Sequence, residues 1–170
     1  MHKHIWIIIL GLLIGFASCK KPVNYNDDNS LKLSFSTDTV TFDTVFTTIG
    51  SSTRQLMIYN DNDDNIKISS IRLEGGNQSQ FTINVDGESG YDFSDVEIFA
   101  KDSIFVFVRV TVNPDNQNTP FFIEDKLIFE TNNNTQSVSL TAYGQNANYI
   151  IADQYINGFP KFKIIADSLQ

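Results

Sequence analysis

The sequence SIFVFVRVTV, residues 103–112, contains the clearest periodicity in the chain. Aliphatic side chains recur at every second position, and aromatic or polar side chains lie between them. Because successive side chains of a β-strand point to opposite sides of a sheet, this period of two predicts a strand with one buried face. The predicted core face consists of Ile104, Val106, Val108, Val110 and Val112, and the opposite face of Phe105, Phe107, Arg109 and Thr111.

The same alternation continues in both directions along the chain. In two segments it changes phase: Val45 does not share the parity of Phe42, and Ile71 does not share that of Ile68. A slip of one residue would turn the apolar set outward, so we expect a β-bulge or a bend in each segment. The remaining predicted core positions are Leu31, Leu33, Phe35, Val40, Leu56, Ile58, Ile66, Leu73, Phe81, Ile83, Val85, Leu127, Phe129, Val138, Leu140 and Ala142.

Turn-forming clusters separate these segments, and no stretch has the period of an amphipathic helix. Seven to nine short strands over roughly 115 residues are typical of an immunoglobulin-type sandwich. We therefore expect an all-β protein with a single immunoglobulin-like antiparallel β-sandwich over residues 31–147. The turns are expected at residues 61–65, 74–77, 86–90, 113–120 and 132–134.

Several features of residues 35–147 resemble the bacterial Ig-like modules of the abnormal-spindle and hydin type. A predicted strand ends in Tyr59-Asn60, and the segment ISSIRLEGG leads to Phe81. The closing FETNNNTQSVSLTAYGQ resembles the family's last hairpin, with Ala142 at a position where glycine is usual. The resemblance implies a structural or interaction module and carries over no catalytic residue.

The chain begins with Lys3 between two histidines, followed by a thirteen-residue apolar stretch from Ile5 to Ala17. A membrane-spanning helix needs about 20 apolar residues, whereas the apolar core of a secretory signal has about 7 to 15. We therefore expect residues 1–18 to be a signal peptide.

The end of that stretch, Phe16-Ala17-Ser18-Cys19, resembles the bacterial lipobox. The resemblance implies cleavage between Ser18 and Cys19 and attachment of a diacylglyceryl group to the Cys19 sulfur. Two or three acyl chains hold a protein stably on a membrane. We expect residues 19–30 to be a lipidated, flexible tether in the cell envelope, at the outer membrane.

Composition narrows the functions of the processed chain. Without residues 1–18 it has no His and no Trp, and its 11 Lys and Arg face 20 Asp and Glu, a formal charge of −9. Triads built on histidine, Cys-His pairs, and zinc sites of imidazole or thiolate are excluded. The negative charge argues against nucleic acid as a partner. We expect no enzymatic activity, no cofactor and no metal.

Two acidic clusters are candidate sites. The loop Asp61-Asn62-Asp63-Asp64-Asn65 offers oxygen ligands for calcium but lacks the pattern of an EF-hand loop, which favours a solvated turn. Asp92, Asp95 and Glu97 offer a carboxylate pair, as glycosidases use, but solvated outer-face residues explain them equally well. Sequences of the form Asp-Ser/Thr-apolar at 38–40, 43–45, 102–104 and 167–169 resemble the O-glycosylation acceptor of Bacteroidetes.

The outer face of one predicted sheet is the strongest candidate for an interaction surface. Phe105 and Phe107 would lie there together with Met57 and Tyr59 from another strand. Exposed aromatic patches mark contacts with a partner domain or a sugar ring. We expect domain packing rather than sugar binding, because no tryptophan is available for stacking.

The last 23 residues, 148–170, are too apolar for a disordered end. They predict a docked tail or the start of a following domain, as in longer surface lipoproteins of the Bacteroidetes type, in which a parallel β-helix follows. On that interpretation Gln170 is not the natural end. The expected function is that of a non-catalytic, lipid-anchored spacer or protein-interaction module at the cell surface, with a C-terminal domain or an envelope protein as its partner. The alternative is a carbohydrate-binding module of a glycan-capture system.

Overall fold

The computed structural model describes residues 23–47, 50–51, 53–113, 121–146 and 154–161. Twelve strands lie in these residues, together with one 3₁₀ turn at Gly76–Gln78. No helix in the described part of the chain is long and apolar enough to cross a membrane. The strands are β1 (Ser34–Phe35), β2 (Thr39–Phe46), β3 (Arg54–Tyr59), β4 (Ile66–Leu73), β5 (Phe81–Val85), β6 (Glu88–Gly90), β7 (Asp92–Ile98), β8 (Ser103–Val110), β9 (Phe121–Thr131), β10 (Asn134–Gln145), β11 (Gln154–Ile156) and β12 (Phe159–Lys161).

Two five-stranded sheets form the sandwich. Sheet 1 has the order β1-β3-β8-β5-β6, and sheet 2 has the order β2-β10-β9-β4-β7. Without β2, β6 and β7, the remaining seven strands follow the immunoglobulin order, four strands in one sheet against three in the other. The fold is an Ig-like β-sandwich, as the alternating sequence pattern predicts.

The three additional strands lie at sheet edges. β2 runs parallel to β10, so sheet 2 is mixed rather than wholly antiparallel as expected. β6 extends sheet 1 beyond β5, and β7 extends sheet 2 beyond β4. A separate hairpin, β11–β12, lies within the predicted tail.

The core lies between the sheets and contains the predicted apolar positions. Side chains at alternate positions of β8, from Val106 to Val110, are fully buried. Leu31, Phe35 and Ile104 are only partly buried at the margin of the core. For Ile104 the reason is that β5 pairs with β8 only from Val106 onward and leaves this end of β8 uncovered.

Both predicted irregularities are β-bulges. In β2, Thr41 lies opposite Thr141 but Thr44 lies opposite Tyr143, so two residues face one. In β4, Ser69 is the additional residue relative to β9. The bulges keep Val45 and Ile71 in the core after the change of phase, since each restores the inward parity.

Candidate functional site

Residues 24–30 are held against one end of the sandwich, which we call the amino end. The Asn26 backbone N–H donates to the Asn65 carbonyl at 2.9 Å, and the Asn26 side chain donates to Asp64 at 2.8 Å. The Asn65 side chain donates in return to the Asn24 carbonyl at 3.2 Å. The described residues of the predicted tether therefore make hydrogen bonds to the sandwich, and the flexibility of the tether as a whole stays a prediction.

The hairpin turn between β9 and β10 binds the same segment from the other side. Asn132 and Asn133 have positive φ values of 51° and 59°, which a two-residue turn between antiparallel strands requires. The Asn132 side chain donates to the Asp28 carbonyl at 3.0 Å, and Asn134 donates to the Asn29 carbonyl at 2.8 Å. The sequence predicted this turn but not its second role in holding the N-terminal segment.

Tyr25 extends this contact onto the outer face of sheet 2. Its ring lies 4.8 Å from the Lys67 ammonium, and Lys67 also approaches Glu97 at 3.5 Å. The hydrogen bond from the Tyr25 hydroxyl to the Glu97 carboxylate raises the pKa of Tyr25 to about 12. The same bond lowers the pKa of Glu97, with Lys67 as a second cause.

Asn60 organises the turns at the amino end and is fully buried. Its side chain donates to the carbonyls of Asp64 at 2.8 Å, Phe99 at 3.0 Å and Ile98 at 3.2 Å. Its side-chain oxygen accepts from the backbone N–H of Asn62 at 3.1 Å. One asparagine therefore fixes two neighbouring turns, which accounts for the Tyr59-Asn60 strand ending seen in the sequence.

The chain leaves the sandwich at the opposite end, which we call the carboxyl end. β10 runs from Asn134, beside the docked N-terminal segment, to Gln145. Twelve residues of extended strand span roughly 36 Å at about 3.3 Å per residue. The two points at which the chain enters and leaves the sandwich are thus separated by its long axis.

The four residues of the predicted interaction patch lie together on the outer face of sheet 1. Met57 lies opposite Phe105 across the β3–β8 pair, and the Tyr59 hydroxyl lies 3.3 Å from the Met57 sulfur. The Phe105 and Phe107 rings stack with their centroids 6.3 Å apart. Phe105 is 42% exposed and Phe107 40% exposed, whereas Met57 and Tyr59 are half-buried. Their role in an interaction stays a prediction.

A groove of about 810 Å³ opens beside this patch, between β7 and the first residues of β8. Its apolar wall consists of Phe93, Val96 and Ile104, all partly buried against the core, and of the exposed Phe99. The sequence did not predict this groove, because it forms where β5 ends and leaves residues 103–105 of β8 unpaired on that side. Its described lining also includes Val85, Asp86, Gly87, Glu88, Ser94, Asp95, Glu97, Ser103, Phe105 and Phe107.

The carboxylates of the two acidic clusters have partners or lie in solvent. Asp63 pairs with Lys101 at 3.0 Å, and Asp64 accepts from Asn26. Within the described ranges, no three His, Cys, Asp or Glu side chains come together as a metal site. Asp92 and Asp95 are exposed. Glu97 has a lowered pKa, which is the opposite of what a general acid requires.

A second aromatic group, which the sequence analysis did not single out, lies at the carboxyl end. Phe122 and Tyr143 are 52% and 51% exposed, with ring centroids 5.3 Å apart. Both project from the outer face of sheet 2, and Phe46 is exposed near them on β2. The parity of the two strands was the available signal, because Phe122 and Tyr143 alternate with buried Ile123 and Ala142.

The structure describes some of the predicted modification sites and not others. Ser18, Cys19 and residues 167–169 lie outside the described residues. Among the glycosylation-like sequences, Thr44 is exposed at the bulge of β2, while Thr39 and Ser103 are half-buried.

Comparisons with known proteins yield likenesses in structure only. No family model matches the sequence, and no curated protein matches it. A protein of unknown function from Porphyromonas gingivalis W83 aligns with a TM-score of 0.48 and 11% identity over 67% of this chain. The ASH/PapD-like domain 7 of human CEP192 gives 0.41 and 11% over 79% of this chain. A family 123 glycoside hydrolase from Clostridium perfringens gives 0.47 and 9% over 70%.

The matched regions differ in how much of each other protein they cover. This chain spans 48% of the Porphyromonas gingivalis protein, 96% of the CEP192 domain and 28% of the glycoside hydrolase. At identities of 9 to 11%, these likenesses assign no role to any residue.

Proposed function

We propose that this protein is a lipid-anchored spacer and protein-interaction module of the cell envelope, without catalytic activity. Cys19 carries the anchor, and the Ig-like sandwich holds whatever binds at its carboxyl end away from the membrane. The outer membrane is the proposed location, and the lipid anchor is the membrane contact.

The observation that carries this proposal is the placement of the docked N-terminal segment and of the end of β10. The docked segment 24–30 lies at one end of β10 and Gln145 at the other. If the chain enters a module at one end of its long axis and leaves at the other, the module adds its full length to the distance between the segments before and after it. A module with both ends on one side would add almost none.

The docked N-terminal segment makes that distance better defined. Because residues 24–30 are bound to the sandwich, only Lys20 to Val23 separate the proposed anchor from the folded surface. Four residues reach at most about 14 Å. The sandwich would therefore stand with its amino end close to the headgroups instead of moving on a long tether.

Chemistry at the described surface supports a non-catalytic role. The exposed side chains that stand out are aromatic rather than nucleophilic, and the candidate acid Glu97 is committed to Tyr25 and Lys67. The pairs at the carboxyl end and on sheet 1 offer the kind of surface that protein interfaces use.

Two measurements test the proposal. The intact mass of the protein extracted from the membranes of its source cells should include residue 19 as the first residue and two or three acyl chains. An unlipidated mass that still includes residues 1–18 would refute the anchor.

The second measurement compares heights above a membrane. In liposomes with acceptor-labelled headgroups, energy transfer should be efficient from a fluorophore at Asp61→Cys and weak from one at Asn113→Cys, at the opposite end of the sandwich. Equal transfer from both positions would mean that the sandwich lies flat, and it would reject the spacer role even for a lipidated protein.

Glycan capture is a second candidate, and the stacked pair Phe105 and Phe107 favours it because both rings keep about two fifths of their surface exposed. Binding of soluble oligosaccharides, lost in a Phe105→Ser/Phe107→Ser double variant and kept in Phe122→Ser, would support it.

A further inference from the structure

We infer that the groove between β7 and β8 binds an extended peptide segment in which basic residues alternate with apolar ones. This inference goes beyond the proposed function by adding a second binding surface near the amino end, and it does not depend on the lipid anchor. It rests on three properties of the groove, which are its backbone edges, its apolar floor and its charge.

Two strand edges without a strand partner border the groove. β7 is the outermost strand of sheet 2 and pairs on its inner side with β4 from Ile98 to Asp92. β8 pairs with β3 from Ser103 onward, but on its other side it pairs with β5 only from Val106. In the described part of the chain, backbone groups of β7 and of residues 103–105 therefore face the groove without a strand beside them. Such edges are templates for an added strand.

The floor of the groove suits apolar side chains of that added strand. Phe93, Val96 and Ile104 are packed on the core but only partly covered. Phe99 is half exposed at the rim. Alternate side chains of an extended peptide would point into this floor, since they recur on one side every second residue.

The negative charge of the groove favours basic residues at those positions of the peptide that point out of the groove. Its described lining contains four carboxylates, from Asp86, Glu88, Asp95 and Glu97, and no lysine or arginine. Asp86 lies in the β5–β6 turn and Glu88 directly follows it, while Asp95 and Glu97 lie on β7. Lysine or arginine side chains pointing out of the groove would meet Asp86, Glu88 and Asp95, since Glu97 already pairs with Lys67, and an acidic peptide would be repelled.

A peptide fits these properties better than a glycan does. A sugar would use the aromatic rings, but it would leave the backbone edges of β7 and β8 without donors and acceptors in register. An extended peptide satisfies edge, floor and charge together. Binding of a glycan in place of the peptide is one possible result of the experiment.

The experiment uses the full chain in detergent micelles and an octapeptide of alternating valine and lysine carrying a fluorophore. Its binding is measured by fluorescence anisotropy and compared with that of the alternating valine–glutamate peptide. Hydrogen–deuterium exchange of the complex should show new protection in residues 92–98 and 103–105, with the lysine peptide only.

Variants locate the site. Glu88→Lys reverses one carboxylate of the groove and should weaken binding of the lysine peptide about tenfold. Phe99→Ser should weaken binding of the lysine peptide about fivefold, because it removes apolar surface at the rim of the groove. Glu124→Lys makes the same charge change on the outer face of sheet 2 and should alter affinity less than about twofold.

Each other result overturns the inference in a recognisable way. Equal loss in Glu88→Lys and Glu124→Lys would mean attraction by net charge alone. Binding of a β-linked glucose hexasaccharide, with the same sensitivity to Phe99→Ser and without binding of the lysine peptide, would assign the groove to glycans. Absence of all binding would reject the groove as a site. The spacer role would not be affected, because the energy-transfer measurement tests it separately.

Discussion

The two ends of the sandwich are stabilised by different chemistry. At the amino end, asparagine side chains beside the turns after β3 and β9 bind backbone groups of two other segments, residues 24–29 and residues 98–99. At the carboxyl end, the aromatic side chains of Phe122 and Tyr143 stand in solvent beside the last residues of β10. The first end is closed by specific hydrogen bonds, and the second presents apolar surface.

The two ends therefore differ in how well their surfaces are satisfied by the protein itself. Hydrogen bonds are directional, so the segments joined at the amino end have one defined arrangement. Exposed aromatic rings gain free energy when another surface covers them. We therefore expect loss of a hydrogen-bonding asparagine at the amino end to reduce stability more than loss of an exposed aromatic ring at the carboxyl end.

Asn60→Ala should have the largest effect on stability. It removes the donor to three carbonyls, of which that of Ile98 is buried and the other two are partly buried, and this should cost about 3 kcal/mol of unfolding free energy. Urea denaturation followed by circular dichroism measures this change. Asn77→Ala, an exposed asparagine in the 3₁₀ turn, is the matched control and should change stability by less than about 0.5 kcal/mol. Equal effects of the two variants would contradict the contrast between the ends.

Gly144→Ala tests how tightly the carboxyl end is packed. A Cβ at this position would lie 2.7 Å from the Phe121 ring and 2.7 Å from the Val112 side chain. Overpacking of this kind should cost about 1 to 3 kcal/mol, measured by thermal denaturation. Ser137→Ala, exposed on the same strand, should be nearly neutral. If Gly144→Ala were neutral too, the Phe121 ring would have room to move, and this end would be looser than its geometry indicates.

The Phe122–Tyr143 pair should contribute less than either change above. A double-mutant cycle with Phe122→Ala and Tyr143→Ala should give a coupling of about 0.5 to 1 kcal/mol, since the rings are in contact but half exposed. A coupling above that of a buried aromatic pair would mean that some other part of the protein covers the rings in solution.

The sequence was sufficient for the parts of the structure that depend on local alternation. Parity placed Val106, Val108 and Val110 in the core, and its interruption located the bulges near Phe42 and Ser69. These features follow from the period of a strand and need no knowledge of which strands pair.

The pairing of distant segments was not predictable in the same way. The groove exists because β5 ends opposite Val106, and the docking of residues 24–30 depends on asparagines more than 35 positions away in sequence. A polar segment such as PVNYNDDNS has the composition of a linker. Its backbone carbonyls and the Asn26 side chain are bound only because the fold presents side-chain amides and the Asp64 carboxylate at matching positions.

The smallest predicted effect concerns the docking of Tyr25. Its hydrogen bond to Glu97 raises the pKa of Tyr25 from 10.0 to about 12, so neutral tyrosine favours the docked state. That contribution is complete below pH 10 and is lost as the pH rises toward about 12. The pKa of Glu97 is lowered, so its contribution is complete above the unfolded value of about 4.3 and is lost as the pH falls through the lower folded pKa. Docking should therefore persist across neutral pH and weaken at both extremes.

NMR titration of ¹³Cζ-labelled tyrosine measures this effect directly, with the Tyr25 signal assigned by Tyr25→Phe. In the intact protein Tyr25 should titrate at about 12, and in Glu97→Ala it should titrate closer to 10.0. Glu130→Ala removes another carboxylate from the same face of sheet 2 and should leave the titration unchanged, because Glu130 pairs with Arg72 instead. Titration of Tyr25 at its ordinary value in the intact protein would show that the N-terminal segment is released in solution. The amino end would then lose part of the order that distinguishes it from the carboxyl end, and the distance between anchor and sandwich would again be set by a flexible tether.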